Sequence, residues 1–215
     1  MALGKSQLTR LYRKRARFYD WSAQLYYLIG FREWAYRKKA VRALRLRPGA
    51  TVVEIGCGTG LNFRLLRNEV GSTGRVIGVD MADAMLVKAR ERVDAREWHN
   101  VELVRSDAAS YPFPDGLDGI LSTFALTLVP EYEEIIARGA RSLRRGGRWV
   151  VADLKLPAGG WQKALLPSLL PLFRPFGVTL DLAERHPWES LRRQMNGFGM
   201  QEHYFGFTYV AWAEK

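Results

Sequence analysis

The sequence predicts an α/β fold built on a doubly wound, mostly parallel sheet, and three observations carry this. After Pro48-Gly49, short β-rich apolar runs alternate with helical stretches. The first two runs, 51–55 and 75–80, are almost continuously apolar inside, as parallel strands covered on both faces must be. The chain closes with 200–205 and 207–214 on either side of Gly206, a pattern that reads as an antiparallel hairpin.

Each element follows from its own pattern. Strands are expected at 51–55, 75–80, 101–106, 117–123 and 147–153, with helices at 61–70, 83–97 and 131–143. A βαβα order with right-handed crossovers winds helices onto both faces of one sheet. With the hairpin, that sheet has seven strands and an antiparallel last one. Segment 1–47 is helical in composition and precedes a core expected to span 48–215. Between the fifth strand and the hairpin lies 156–199, with Pro157, Pro167, Pro171, Pro175 and Pro187. It is too long for a plain connection, and such segments usually carry function.

Composition narrows the class. A chain of 215 residues fits one domain of ordinary size, and 47% hydrophobic residues supply a large core. Disorder as the dominant state is excluded. The single cysteine, Cys57, excludes an internal disulfide or a zinc ribbon and points to a reducing, cytoplasmic setting. No apolar run approaches the roughly 18 residues of a spanning helix. The opening MALGKSQLTRLYRKR lacks the apolar stretch of a secretory signal.

The formal charge of +11 is not spread evenly. Residues 1–47 hold 13 Lys and Arg against two acids, Asp20 and Glu33, and the rest of the chain is balanced. A polyanion is the natural partner of such a segment. In a helix over 1–17, Leu8, Leu11, Tyr12 and Tyr19 fall near one face, while Arg10, Arg13, Lys14 and Arg17 fall on others. Cationic amphipathic helices of this kind lie in membrane interfaces, so an anionic membrane surface is expected as partner rather than nucleic acid.

The chemistry concentrates around three glycines. Val52-Val53-Glu54-Ile55-Gly56-Cys57-Gly58-Thr59-Gly60 sets them where the first strand turns into the first helix. There they permit a sharp turn and a close ligand, and the following helix start offers N–H groups to an anion. Asp80 ends the second strand about twenty residues on, where a carboxylate accepts bonds from ribose hydroxyls. Nicotinamide dehydrogenases share both features, but here the spacing is G-x-G-x-G and Glu54 sits inside the strand. A second acid, Asp107, follows the third strand in Arg105-Ser106-Asp107-Ala108, within reach of an adenine amino group.

On these residues the sequence resembles the class I S-adenosylmethionine-dependent methyltransferases, from about Phe18 to the C-terminus. The family's first motif matches 54–60, its ribose acid matches Asp80 and its adenine-side acid matches Asp107. The turn 144–147 resembles the glycine turn before the family's fifth strand, and the family's last strand is antiparallel. The resemblance implies S-adenosylmethionine as cofactor, S-adenosylhomocysteine as product, and no metal. It implies Glu54, Gly56, Gly58, Gly60, Asp80, Met81, Asp107, Ala108 and Thr123 around the cofactor, with Cys57 as a small buried residue.

The acceptor must be read from the attachments, because the fold does not choose it. Within the insertion, 161–173 is very apolar for a connection near a cofactor mouth, fit to dip into an interface or wall an acyl channel. Together with the basic start, this resembles the small bacterial phosphatidylethanolamine N-methyltransferases. Quinone C-methyltransferases and small-molecule methyltransferases share the motifs and are the alternative. Phe18-Tyr19-Asp20 resembles a pattern these enzymes place over the cofactor, which assigns Tyr19 to methyl transfer. Tyr26 and Tyr27 are the aromatic candidates for holding a methylated cation. Arg185 and His186 are candidates for the headgroup phosphate or a proton relay, although His186 also reads as the entry to a helix begun by Pro187. Thr123 and Phe124 should border the acceptor, since ligands sit at the C-terminal ends of parallel strands. The expected setting is a monomer, peripheral on the inner leaflet of the cell membrane.

Overall fold

The computed structural model describes residues 30–155 and 183–215, together with Gln7 and Arg10. Tyr19, Tyr26, Tyr27 and most of the apolar insertion therefore lie outside the described residues. The elements are α1 (Glu33–Ala43), β1 (Thr51–Ile55), α2 (Phe63–Val70), β2 (Arg75–Asp80), α3 (Asp83–Asp94), β3 (Val101–Arg105) and β4 (Leu117–Thr123). A short 3₁₀ turn (Leu126–Leu128), α4 (Tyr132–Ser142), β5 (Leu143–Leu154), α5 (Pro187–Gln194), β6 (Asn196–His203) and β7 (Thr208–Glu214) follow.

All seven strands form one sheet in the order β3-β2-β1-β4-β5-β7-β6. Neighbours from β3 through β5 run parallel. β7 inserts antiparallel between β5 and β6, pairing Leu154 with Thr208 and His203 with Thr208. This register puts the β6–β7 turn at the same edge of the sheet as the C-terminal ends of the parallel strands. The expected doubly wound sheet with an antiparallel end is thus the fold.

Alternation along the buried strands feeds two apolar layers. One joins Val41 and Leu44 of α1 to Phe63, Leu66 and Val70 of α2, Ala89 and Val93 of α3, and Trp98. The other joins Ile135 and Ile136 of α4 to Ile120, Trp149, Leu191 and Tyr209. α1 is tied further to the sheet by Arg148, whose Nη1 donates to the Ala43 carbonyl at 3.1 Å.

Several boundaries differ from expectation, for local reasons. The second expected helix stops at Asp94 instead of 97 because Glu97 takes a left-handed φ of 51°. Trp98 N–H then reaches back to the Val93 carbonyl and Glu97 N–H to that of Asp94, the paired bonds of a Schellman close without its usual glycine. The fifth strand begins at Leu143 instead of 147: Leu143 pairs with Leu117, and the register then shifts before Gly119 meets Arg148. Gly146 at φ 76° absorbs that irregularity, and its N–H bonds the Lys215 carbonyl at 2.8 Å. The insertion is shorter than 156–199, since α5 and β6 occupy 187–194 and 196–203. Pro187 begins α5 behind His186, as its fixed φ favours.

Candidate functional site

At the topological switch between β1 and β4, consecutive helices leave the sheet in opposite directions and a cleft opens at the strand C-termini. The cleft together with its open mouth takes in about 990 Å³ of non-protein space. Gly56, Gly58, Asp80, Met81, Asp107, Ala108, Thr123 and Phe124 all line it, as do Arg37, Thr59, Leu126, Leu128, Val129 and Pro130. Glu54 and Gly60 stand behind this lining.

The glycine turn is left-handed at all three glycines, with φ of 68°, 55° and 77°. A Cβ at Gly56 would come 2.4 Å from the Ala125 Cβ, and one at Gly60 would come 2.4 Å from the Phe63 ring. A Cβ at Gly58 would meet nothing within 4 Å and would project into the cleft instead. Two of these glycines let backbone pack on protein, and the third leaves room for a ligand. Cys57 is buried in the apolar core, and burial holds its thiol well above the usual range, which removes it as a nucleophile.

Asp80 closes the turn from the other side. Its Oδ2 accepts the Gly58 N–H at 2.9 Å and its Oδ1 accepts the Ala82 N–H at 2.8 Å. Burial raises its pKa, and these backbone donors pull the other way. A carboxylate has about four acceptor sites, so capacity remains for ligand hydroxyls. Asp107 Oδ1 accepts the Ala109 N–H at 3.0 Å, which fixes this second acid at the far wall.

Behind the glycines runs a buried polar chain. Asn62 Nδ2 donates to Glu54 Oε1 at 2.5 Å and to Thr123 Oγ1 at 2.8 Å. Arg37 Nη1 donates to the same Thr123 oxygen at 2.6 Å, and its Nε and Nη2 both reach Glu33 Oε1. Arg37 is only 5% exposed and sits over the Phe124 ring at 5.2 Å from its centroid. Glu54 is buried, and its Oε2 has no hydrogen-bond partner among the described residues. Burial pushes its pKa up to about 7, against the lowering pull of Asn62 and Arg37. Phe124 is itself held left-handed at φ 55°, a conformation that costs a non-glycine residue about 1–3 kcal/mol and tends to mark functional sites.

Glu33, Arg37 and Asn62 are the three members that sequence reasoning missed. Arg37 follows Glu33 by four positions on the stripe that also carries Tyr36, Ala40, Val41 and Leu44, so a charge on a buried face was the available signal. Arg185 and His186 are not brought to the lining. Arg185 Nη1 donates to the Thr127 carbonyl at 2.9 Å, behind the cleft wall. His186 Nε2 lies 2.9 Å from the Ala183 carbonyl, with its ring against Trp188.

Comparison with known proteins agrees with this geometry. Residues 52–147 match a family model described as a methyltransferase domain. The demethylmenaquinone methyltransferase of Listeria welshimeri is 30% identical over 184 residues, covering 81% of this chain and 77% of that protein. The chain belongs to the class I S-adenosylmethionine-dependent methyltransferases. A second demethylmenaquinone methyltransferase, from Bacillus mycoides, is 30% identical over 59% of this chain and 54% of its own length. Among solved structures, an S-adenosylmethionine-dependent methyltransferase from Aquifex aeolicus superposes with a TM-score of 0.60 at 21% identity, covering 82% of this chain and 88% of that one. The phosphoethanolamine N-methyltransferase 2 of Haemonchus contortus, bound to S-adenosylmethionine, gives 0.63 at 21%, over 79% of this chain and 38% of that one. The cofactor of this methyltransferase is S-adenosylmethionine. The open position at Gly58, the two acids facing the cleft and the unpartnered Glu54 oxygen behind it fit a cationic nucleoside.

Proposed function

We propose that this methyltransferase transfers a methyl group to a ring carbon of a reduced, lipid-soluble quinone. The observation that carries the proposal is the 30% identity extending over 77% of a demethylmenaquinone methyltransferase. The acceptor end of the cleft supports it. Phe124, Leu126, Leu128, Val129 and Pro130 make an apolar wall, and the guanidinium of Arg37 lies beside it. As a hydroquinone loses its hydroxyl proton to water, negative charge grows on the ring oxygen, and a neighbouring guanidinium stabilises that charge. The ring carbon then takes the methyl, the sulfonium leaves as a neutral thioether, and the hydrogen of that carbon departs to water as a proton to restore the ring. An ammonium acceptor would meet the same positive field, on a Phe124 face already occupied by Arg37.

In this reading Asp80 holds the ribose hydroxyls, Asp107 the adenine amino group, and Met81 and Ala108 the adenine faces. Glu54 supplies negative potential behind the glycine turn, opposite the positive charge of the ligand. The cofactor brings an electrophilic methyl on a sulfonium. What the protein must add is alignment of the attacking carbon behind that methyl and exclusion of water. Thr123, held by both Arg37 and Asn62, is the rigid floor against which the two reactants are placed.

A second reading, methylation of the amine of phosphatidylethanolamine, is favoured by the 13 basic residues among the first 47. Tyr19, Tyr26, Tyr27, Arg185 and His186 belong to that reading. Both readings place the protein at the cytoplasmic surface of an anionic membrane, because either acceptor is dissolved there. Purified protein with isotopically labelled S-adenosylmethionine should label chemically reduced demethylmenaquinone in vesicles, with mass spectrometry placing the methyl on ring carbon. Labelling of phosphatidylethanolamine alone would transfer the assignment to the second reading. Labelling of neither would overturn both.

A further inference from the structure

The β6–β7 turn is built against backbone preference. Tyr204, Phe205 and Gly206 are all left-handed, with φ of 50°, 56° and 84°. The turn closes by the bonds Gly206 N–H to His203 carbonyl at 3.1 Å and Phe207 N–H to Tyr204 carbonyl at 3.0 Å. Two central residues with positive φ are the mark of a mirror-image hairpin turn, where Asn-Gly is the unstrained choice. Here two bulky aromatics stand instead. Strain of this sort persists where it serves a purpose.

What the strain accomplishes is presentation. Phe205 is 69% exposed, an unusual state for a large apolar side chain in this fold. It is also continuous with the cleft through a file of rings. Phe124, on the cleft wall, packs edge-on to Phe31 at 5.8 Å between centroids, Phe31 to Tyr204 at 5.3 Å, and Tyr204 lies 5.7 Å from Phe205. Strand register sets this turn at the cleft edge of the sheet.

The charges around the turn are mostly basic. Lys39 Nζ lies 3.5 Å from His203 Nε2 on one side. Lys155 flanks the other side, paired with Glu202 and bonded through its N–H to the Phe207 carbonyl. Arg32 and Lys38 are exposed on the adjoining start of α1. Aromatic tips rimmed by Lys and Arg suit the headgroup region of an anionic bilayer, which takes the rings into its boundary and the ammonium groups into its field.

We propose that the Tyr204-Phe205 tip inserts into the headgroup region of an anionic lipid bilayer, seating the folded core with its cleft edge against the membrane. This rests on the reading that the acceptor is lipid-soluble, and it sets the cleft that holds Phe124 close to the bilayer in which such an acceptor is dissolved.

Co-sedimentation of the full chain with phosphatidylcholine vesicles containing one-third phosphatidylglycerol tests the proposal. Phe205→Gly should lower the partition coefficient about tenfold, as expected for losing one buried aromatic side chain. The same variant relieves the turn, so its Tm should equal the wild-type value or exceed it by up to about 3 °C. Phe205→Trp should restore partitioning. Unchanged vesicle binding in Phe205→Gly overturns the proposal. So does a dimer that becomes monomeric in Phe205→Gly while vesicle binding is kept, since the tip would then be a contact with a second copy. Partitioning is measured with no acceptor present. Loss of partitioning alongside no methylation of quinol or lipid amine would therefore leave the membrane surface standing and sink the acceptor reading.

Discussion

Replacing Glu54 with glutamine should make the ligand-free protein more stable at pH 8 and barely change it at pH 5. Glu54 is 1% exposed, and burial lifts its pKa from 4.5 to about 7. The folded state therefore binds the proton more tightly than the unfolded state does. Between about pH 4.5 and 7 the native form holds more protons, so stability falls as pH rises through that window. A rise from 4.5 to about 7 corresponds to about 3 kcal/mol lost by pH 8. Glutamine keeps the acceptor for Asn62 and carries no charge to desolvate, so the loss disappears. Urea denaturation of both proteins at pH 5, 6, 7 and 8 reads the difference, which should open with pH and level off above about 7. A constant difference across that range, or a variant less stable at pH 8, would refute the account of Glu54 as a desolvated carboxyl. S-Adenosylmethionine affinity should move the opposite way, weakening in the variant as negative potential is lost behind the cleft.

The other expectations are simpler. Asp80→Ala should weaken S-adenosylmethionine binding by roughly 1.5–3 kcal/mol through lost charge-assisted hydrogen bonds, read by calorimetry. Arg37→Lys cannot reach Glu33 and Thr123 together, so it should lower both Tm and turnover, with turnover falling more if the guanidinium faces the reacting oxygen. Gly78→Ala places a Cβ 2.6 Å from the Phe63 ring and 3.0 Å from the Cys57 sulfur, and should cost about 1–3 kcal/mol in thermal or urea unfolding.

Strands buried on both faces announce themselves, which is why β1 and β2 were legible to the residue in the sequence. Glycine spacing and the acids at strand ends were equally visible, because a sharp turn admits few other residue types. The departures came where backbone geometry was set by something other than residue preference. Glu97, Tyr204 and Phe205 take the left-handed region without being glycine. Arg37 was hidden for a different reason. A basic residue in a basic segment reads as solvated surface, and only the packing of α1 against the sheet turns that face inward. His186 and Arg185 looked like chemistry because of their residue types; in the fold His186 lies against the Ala183 carbonyl and near Glu189, and Arg185 donates to the Thr127 carbonyl, both off the cleft lining.

The docking of α1 also bears on how the chain comes into being. Arg37 finds Thr123 86 residues later, Ala43 finds Arg148 105 residues later, and Tyr36 stacks on His203 at a ring separation of 5.3 Å. This helix therefore draws its partners from β4, β5 and β6, far along the chain from its own residues. Loops of that length close slowly. The floor beneath the ligand, where Arg37 meets Thr123, is consequently steadied by contacts made on β5 and β6. Loss of β5 or β6 would leave every glycine and acid of the motif in the chain and take away what steadies α1, so the affinity for ligand reports on packing far from the ligand itself.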